Sequence, residues 1–181
     1  MLGILIGLLV LVVLATIYYV NRIIVLGNRV ENAWSQIDVQ LKKRVDLIPN
    51  LVETVKGYMK HEKEAIEAVT KARERMMKAG SNEERLKANN QAANALKTVF
   101  ALAENYPKLR ANENFMMLQE ELSAVENKIA YARQFYNDSI LSYNDLASTF
   151  PGVMFAGMLG KTKKKHLEIT EKEREPVKVK F

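Results

Sequence analysis

The sequence predicts an all-α protein in which an N-terminal transmembrane helix is followed by an elongated antiparallel up-and-down helical bundle. Three observations carry this expectation. The 181 residues include only 8 Gly and 4 Pro, too few breakers for a many-turned β fold. The chain opens on an uncharged apolar run, and three later stretches repeat apolar residues at helical spacing. With 48% hydrophobic residues and mixed charges, the chain has enough apolar material to fold. The organisation expected is an anchor over 1–21, a bundle over 22–150, and an apolar then basic C-terminal segment over 151–181.

Leu2 to Val20 carries no charge, and a helix of that length rises ~28 Å, close to the ~30 Å of a bilayer's hydrocarbon layer. No Lys or Arg precedes it and no small-x-small cleavage site closes it, so an uncleaved single span fits better than a secretory signal. Arg22, Arg29 and the run Lys42-Lys43-Arg44 follow it, with Tyr18 and Tyr19 at the interface. The bias of basic residues toward the cytoplasmic side then predicts a cell-membrane protein with its N-terminus outside and its bundle in the cytoplasm.

In the bundle the first seam runs Val30, Ala33, Trp34, Ile37, Leu41, Val45, Ile48, Leu51, Val55, Tyr58 and Met59. Pro49 lacks an amide hydrogen and disfavours helix at Ile48, which predicts a kink or short break there. The pattern resumes through Ala65 or Ile66, Val69, Ala72 and Met76 and stops at Gly80. Ser81 and Glu84 have the spacing of a capping box. The next face is Leu86, Ala93, Leu96, Val99, Phe100 and Ala103, ending at Tyr106-Pro107. Asn112 is placed to cap the last and most regular pattern, from Phe115 through Leu122, Ile129, Tyr136 and Tyr143 to Phe150. Short connections between such helices make neighbours antiparallel.

Beyond Pro151 an apolar, Gly-rich run containing Phe155, Met158 and Leu159 meets Lys161, Lys163, Lys164 and Lys165. Two readings are open. Either these residues touch an anionic leaflet, or the apolar run packs on the bundle end while the lysines are solvated. The closing Pro176 to Phe181 alternates apolar and basic residues, as a strand along a groove would.

Chemistry finds little material. Zero Cys excludes disulfides and thiolate metal sites, and the only two histidines are His61 and His166. His61-Glu62 begins like a zincin helix, but Ala65 stands where the second ligand is needed. Neither His has a Glu three residues before it, as a di-iron bundle requires, and no phosphate loop or nucleophile elbow is present. A non-enzymatic protein without cofactor or metal is expected. The remaining enzyme candidate would group Asp38, Asp46, Glu53 and His61 around Pro49. The pI of about 9.4 does not single out nucleic acid, because seventeen carboxylates offset nineteen basic residues from Arg22 to Gly160.

Polar residues beside the seams are the more informative feature. Trp34, Asp38, Asp46 and Asn50 lie on the first pattern, while Tyr136-Asn137 and Tyr143-Asn144 recur one heptad apart on the last. They form either a contact surface for a partner or a further copy, or a set of buried amides fixing helix register, the simpler use.

The words around them are those of a family. Ala33-Trp34-Ser35-Gln36-Ile37-Asp38, Asp46-Leu47-Ile48-Pro49-Asn50-Leu51-Val52, Ala103-Glu104-Asn105-Tyr106-Pro107, Ala111-Asn112-Glu113-Asn114-Phe115 and Phe150-Pro151 strongly resemble the LemA family over nearly the whole chain. The resemblance implies a bacterial or archaeal-type membrane-anchored helical bundle and suggests membrane organisation as its role. It supplies no catalytic residues. The function expected is an oligomeric scaffold of side-by-side copies; the alternative is an adaptor or signalling module that binds a peptide or another membrane or cytoplasmic protein near Trp34, Asp38 and Asn50.

Overall fold

A computed structural model describes residues 1–167, and the alternating stretch from Pro176 to Phe181 lies outside them. The described residues form six helices: α1 (Leu2–Lys56), α2 (Lys63–Lys78), α3 (Asn82–Ala103), α4 (Pro107–Arg110), α5 (Glu113–Ser148) and α6 (Gly152–Met158). No strand occurs among them. They divide into two units to which α1 and α5 both contribute. One contains Met1–Ser35 and the chain from Ala132 on; the other is Gln36–Tyr131.

In the Gln36–Tyr131 unit the seams meet as the periodicity predicts. Ile48, Leu51 and Val55 of α1, Ile66 and Val69 of α2, Leu96 and Val99 of α3, and Phe115, Leu118 and Leu122 of α5 form one core. Asp38 pairs with Arg85 and Arg44 with Asn89, so α1 and α3 run parallel. Arg44 meets Glu126, and Tyr58, just past α1, meets Asn112, just before α5, so α5 runs against α1. From the turn at 57–62 α2 returns along α1, with Arg73 at Val45. This is the alternation of an up-and-down bundle.

Of the kink or short break expected at Pro49, the break does not occur. α1 continues through it to Lys56, and the chain turns at Gly57–Glu62 instead. A proline at 49 leaves the Val45 carbonyl without its helical donor, and Arg73 Nε donates to that carbonyl at 3.0 Å. A neighbouring helix thus satisfies the group whose exposure would have favoured a break. Tyr58 lies in the turn, exposed, and Met59 takes the core position beside it.

Both predicted N-caps form. Ser81 Oγ accepts from the Glu84 amide at 3.2 Å, and Glu84 Oε2 accepts from the Ser81 and Gly80 amides at 3.3 and 2.9 Å. Asn112 Oδ1 accepts from the Phe115 amide at 3.0 Å. Ser81→Ala is expected to lower stability by about 1 kcal/mol, read as a lower midpoint in a thermal melt of the full chain.

In the other unit Ile23, Leu26 and Val30 of α1 pack against Ile140, Tyr143 and Ala147 of α5 and Ala156 of α6. Trp34 meets Tyr136 and Gly27 meets Tyr143, so α1 and α5 are antiparallel here too. Phe150, assigned to the seam by spacing, lies beyond the end of α5 and is 80% exposed. The apolar, Gly-rich run after Pro151 forms the short helix α6, whose Gly152 and Ala156 face inward.

Candidate functional site

The asparagines repeated on α5 have a definite use. Asn144 donates from Nδ2 to the Lys164 carbonyl and accepts at Oδ1 from the Lys164 amide, both at 2.8 Å. Asn137 does the same to Leu167, donating at 3.2 Å and accepting at 2.9 Å. Each side-chain amide therefore pairs with both backbone groups of one residue, as a neighbouring strand would. The spacing explains why two such pairs form together. One heptad of helix rises ~10.5 Å, and three residues of extended chain span ~10 Å. A segment laid antiparallel to α5 thus brings every third residue to an asparagine.

Aromatic residues complete the surface. Lys164 Nζ lies 5.5 Å from the Tyr143 ring centroid, a cation–π contact. Trp34 packs edge-on to Tyr136 with centroids 5.8 Å apart, and Arg29 stands 5.5 Å over Phe135. Burial raises the pKa of Tyr136 and of Tyr143 above the ordinary phenol value.

The arrangement differs from register-fixing, because these amides bond to the segment after α6 and not to a facing helix. The clamp also groups only part of the predicted set. Trp34, Tyr136, Asn137, Tyr143 and Asn144 belong to one unit, whereas Asp38, Asp46 and Asn50 belong to the other. Asp38 pairs with Arg85. Asp46 pairs with Lys42 one turn away on an exposed face, and Asn50 is exposed, its carbonyl accepting from Thr54 Oγ1 at 2.8 Å. Of the acids proposed around Pro49, only Glu53 lines the shallow depression there, with Lys56, Thr70 and Arg73. Among the described residues, no three His, Asp or Glu side chains gather as a metal-binding group.

At the C-terminal segment, Phe155 is half-buried and stacks on Tyr19 with centroids 5.3 Å apart and planes 3° from parallel. Met158, Leu159, Lys161, Lys163 and Lys165 are exposed, and Lys164 is half-buried by the clamp.

Spacing alone missed one polar centre. Arg44, part of the basic run after the span, is 1% exposed; it donates from Nη1 to Asn89 and from Nη2 to Glu126, and its buried Nε has no partner among the described residues. Its phase was the available signal, since 37, 41, 44, 48 and 51 lie on one helical stripe.

These features define an all-α bundle continuous with a helix long and apolar enough to cross a membrane. The LemA family model matches residues 33–181, and the chain belongs to that family. Among curated proteins none matches the chain.

Proposed function

We propose that this chain is a non-enzymatic, single-pass membrane protein whose α5 surface binds extended peptide segments, with its own residues 161–167 as the resident ligand. The observation that supports this reading is the pair of bidentate asparagine clamps at matched spacing. Because Asn137 and Asn144 contact backbone, they accept many sequences, and Tyr143 adds a preference for a cation. The partner suited to the surface is an extended basic stretch of another protein, an adaptor role at the membrane. The two basic residues nearest the span, Arg22 and Arg29, favour a cell-membrane placement with the N-terminus outside and the clamp in the cytoplasm. Digestion of the bundle by protease added to intact cells would contradict that orientation.

The test keeps the full chain. Lys164→Pro removes the amide that Asn144 accepts from and so weakens the resident segment alone. A labelled peptide with the sequence of residues 161–167 then competes with a tether of roughly millimolar effective concentration in the parent but not in the variant, so the variant is expected to bind it at least about tenfold more tightly. Adding Asn137→Leu and Asn144→Leu to the Pro variant is expected to abolish binding. Equal uptake with and without the two asparagines would overturn the reading.

A scaffold is the second reading, favoured by the glycines before the segment. Gly160 has φ +62°, and neither Gly157 nor Gly160 has a side-chain position crowded by neighbours. Such a joint permits residues 161–167 to pass to the clamp of a second copy, a low-cost route to a homo-oligomer. The mass of the full-length chain in mild detergent separates the two readings, because exchange gives a defined oligomer that Asn137→Leu with Asn144→Leu dissolves.

A further inference from the structure

We infer that α6 and the lysines after it form a second membrane contact, an interfacial anchor that lies on an anionic phospholipid surface beside the span. The inference rests on the proposed single span, with α1 crossing the bilayer as far as Tyr19, and does not require the clamp to bind any other peptide.

The level of α6 is set by one contact. Leu2 to Val20 is uncharged, Arg22 is the first charge after it, and Tyr18 and Tyr19 occupy the position of an aromatic belt. Phe155 stacks flat on Tyr19, so α6 is fixed at the depth where hydrocarbon gives way to headgroups. The helix then has two faces. Gly152 and Ala156 are buried against the unit's core, while Val153, Met154 and Met158 are exposed, Met158 at 78%. Phe150, just before the helix, is as exposed as Met158. In water such a group is an unfavourable surface, but at this depth it meets acyl chains.

Charge identifies the lipid. Lys161, Lys163 and Lys165 are exposed immediately after the helix, and no Asp or Glu occurs between Asp145 and Glu168. A local cluster of positive charge beside an apolar face is complementary to an anionic headgroup layer. Phe155 and Ala156 of α6 pack on the bundle and Met154 and Met158 face acyl chains, while Lys161, Lys163 and Lys165 beyond the helix reach the headgroups.

The absence of cysteine makes the test clean, since Met158→Cys provides a single site for an environment-sensitive fluorophore in the full-length chain. Leu141→Cys is the control. It is exposed and apolar too, but lies near Tyr143, which packs at Gly27, ~12 Å along α1 from Tyr19. Leu9→Cys reports the span itself. In vesicles of equal parts phosphatidylcholine and phosphatidylglycerol, labels at 9 and 158 are expected to lose emission to brominated acyl chains, and the label at 141 to aqueous iodide. Replacing Lys161, Lys163 and Lys165 together by Gln is expected to raise iodide quenching at 158 to the level seen in phosphatidylcholine alone. Lipid quenching at 9 with iodide quenching at 158 equal to that at 141 would overturn the interfacial anchor and leave the span standing. Iodide quenching at 9 would overturn both.

Discussion

Glu126→Ala is expected to destabilise the protein more than removal of the arginine it pairs with, by about 3–5 kcal/mol against about 1–2 kcal/mol for Arg44→Met. The asymmetry follows from burial. Arg44 is 1% exposed, whereas the Glu126 side chain is 47% exposed. Without Glu126 the guanidinium remains inside the Gln36–Tyr131 unit as an uncompensated charge, with the Asn89 carbonyl oxygen as its one remaining acceptor among the described residues. Without Arg44 the carboxylate turns to water, Met fills much of the vacated volume, and the main loss is the donor to Asn89, itself 2% exposed. The double variant should therefore be more stable than Glu126→Ala alone. Chemical denaturation of the full chain in detergent, followed by far-ultraviolet circular dichroism, gives the three values. A larger loss for Arg44→Met than for Glu126→Ala would mean that the ion pair is net stabilising beyond its own desolvation.

This centre also shows what could be read from the sequence. Helix faces were legible because burial follows the 3.6-residue period, and the predicted stripes on α1, α2 and α5 are the ones that form the two cores. Caps were legible because Ser81, Glu84 and Asn112 act within three residues of themselves. The errors fell where a distant group decides the outcome. Pro49 has the local signature of a break, but Arg73, 28 residues away along the chain, supplies the missing donor. Arg44 sits in phase with the apolar seam, yet only Glu126 and Asn89 make that position tolerable for a charge. The recurrence of Asn137 and Asn144 was visible, whereas the backbone of residues 164 and 167 has no side-chain signature to announce it as their ligand.

Gly152→Ala should separate α6 from the bundle, while Gly157→Ala in the same helix should strengthen it. A Cβ at 152 would stand 2.1 Å from the Leu146 carbonyl oxygen and 3.1 Å from its carbon, and both are backbone atoms of α5 that cannot rotate away. Relief requires α6 to move, at a cost in the range of about 1–3 kcal/mol or more for overpacking. At 157 a Cβ meets nothing within 4 Å, so replacing Gly there gains about 0.5–1 kcal/mol of helix preference. Thermal melts of the two variants should shift in opposite directions. Hydrogen exchange gives the local readout through the Lys161 amide, which donates to the Ala156 carbonyl at 2.9 Å, and the Lys164 amide, held by Asn144 at 2.8 Å. Both should lose protection in Gly152→Ala, since the helix that leads into the clamped segment no longer docks. If Lys161 alone becomes labile, the asparagines hold residues 161–167 without help from α6. If neither does, the close approach at Leu146 is not what positions the helix. The expected joint loss would make the single glycine that admits α6 against α5 the structural link between α6 and the segment held by Asn137 and Asn144.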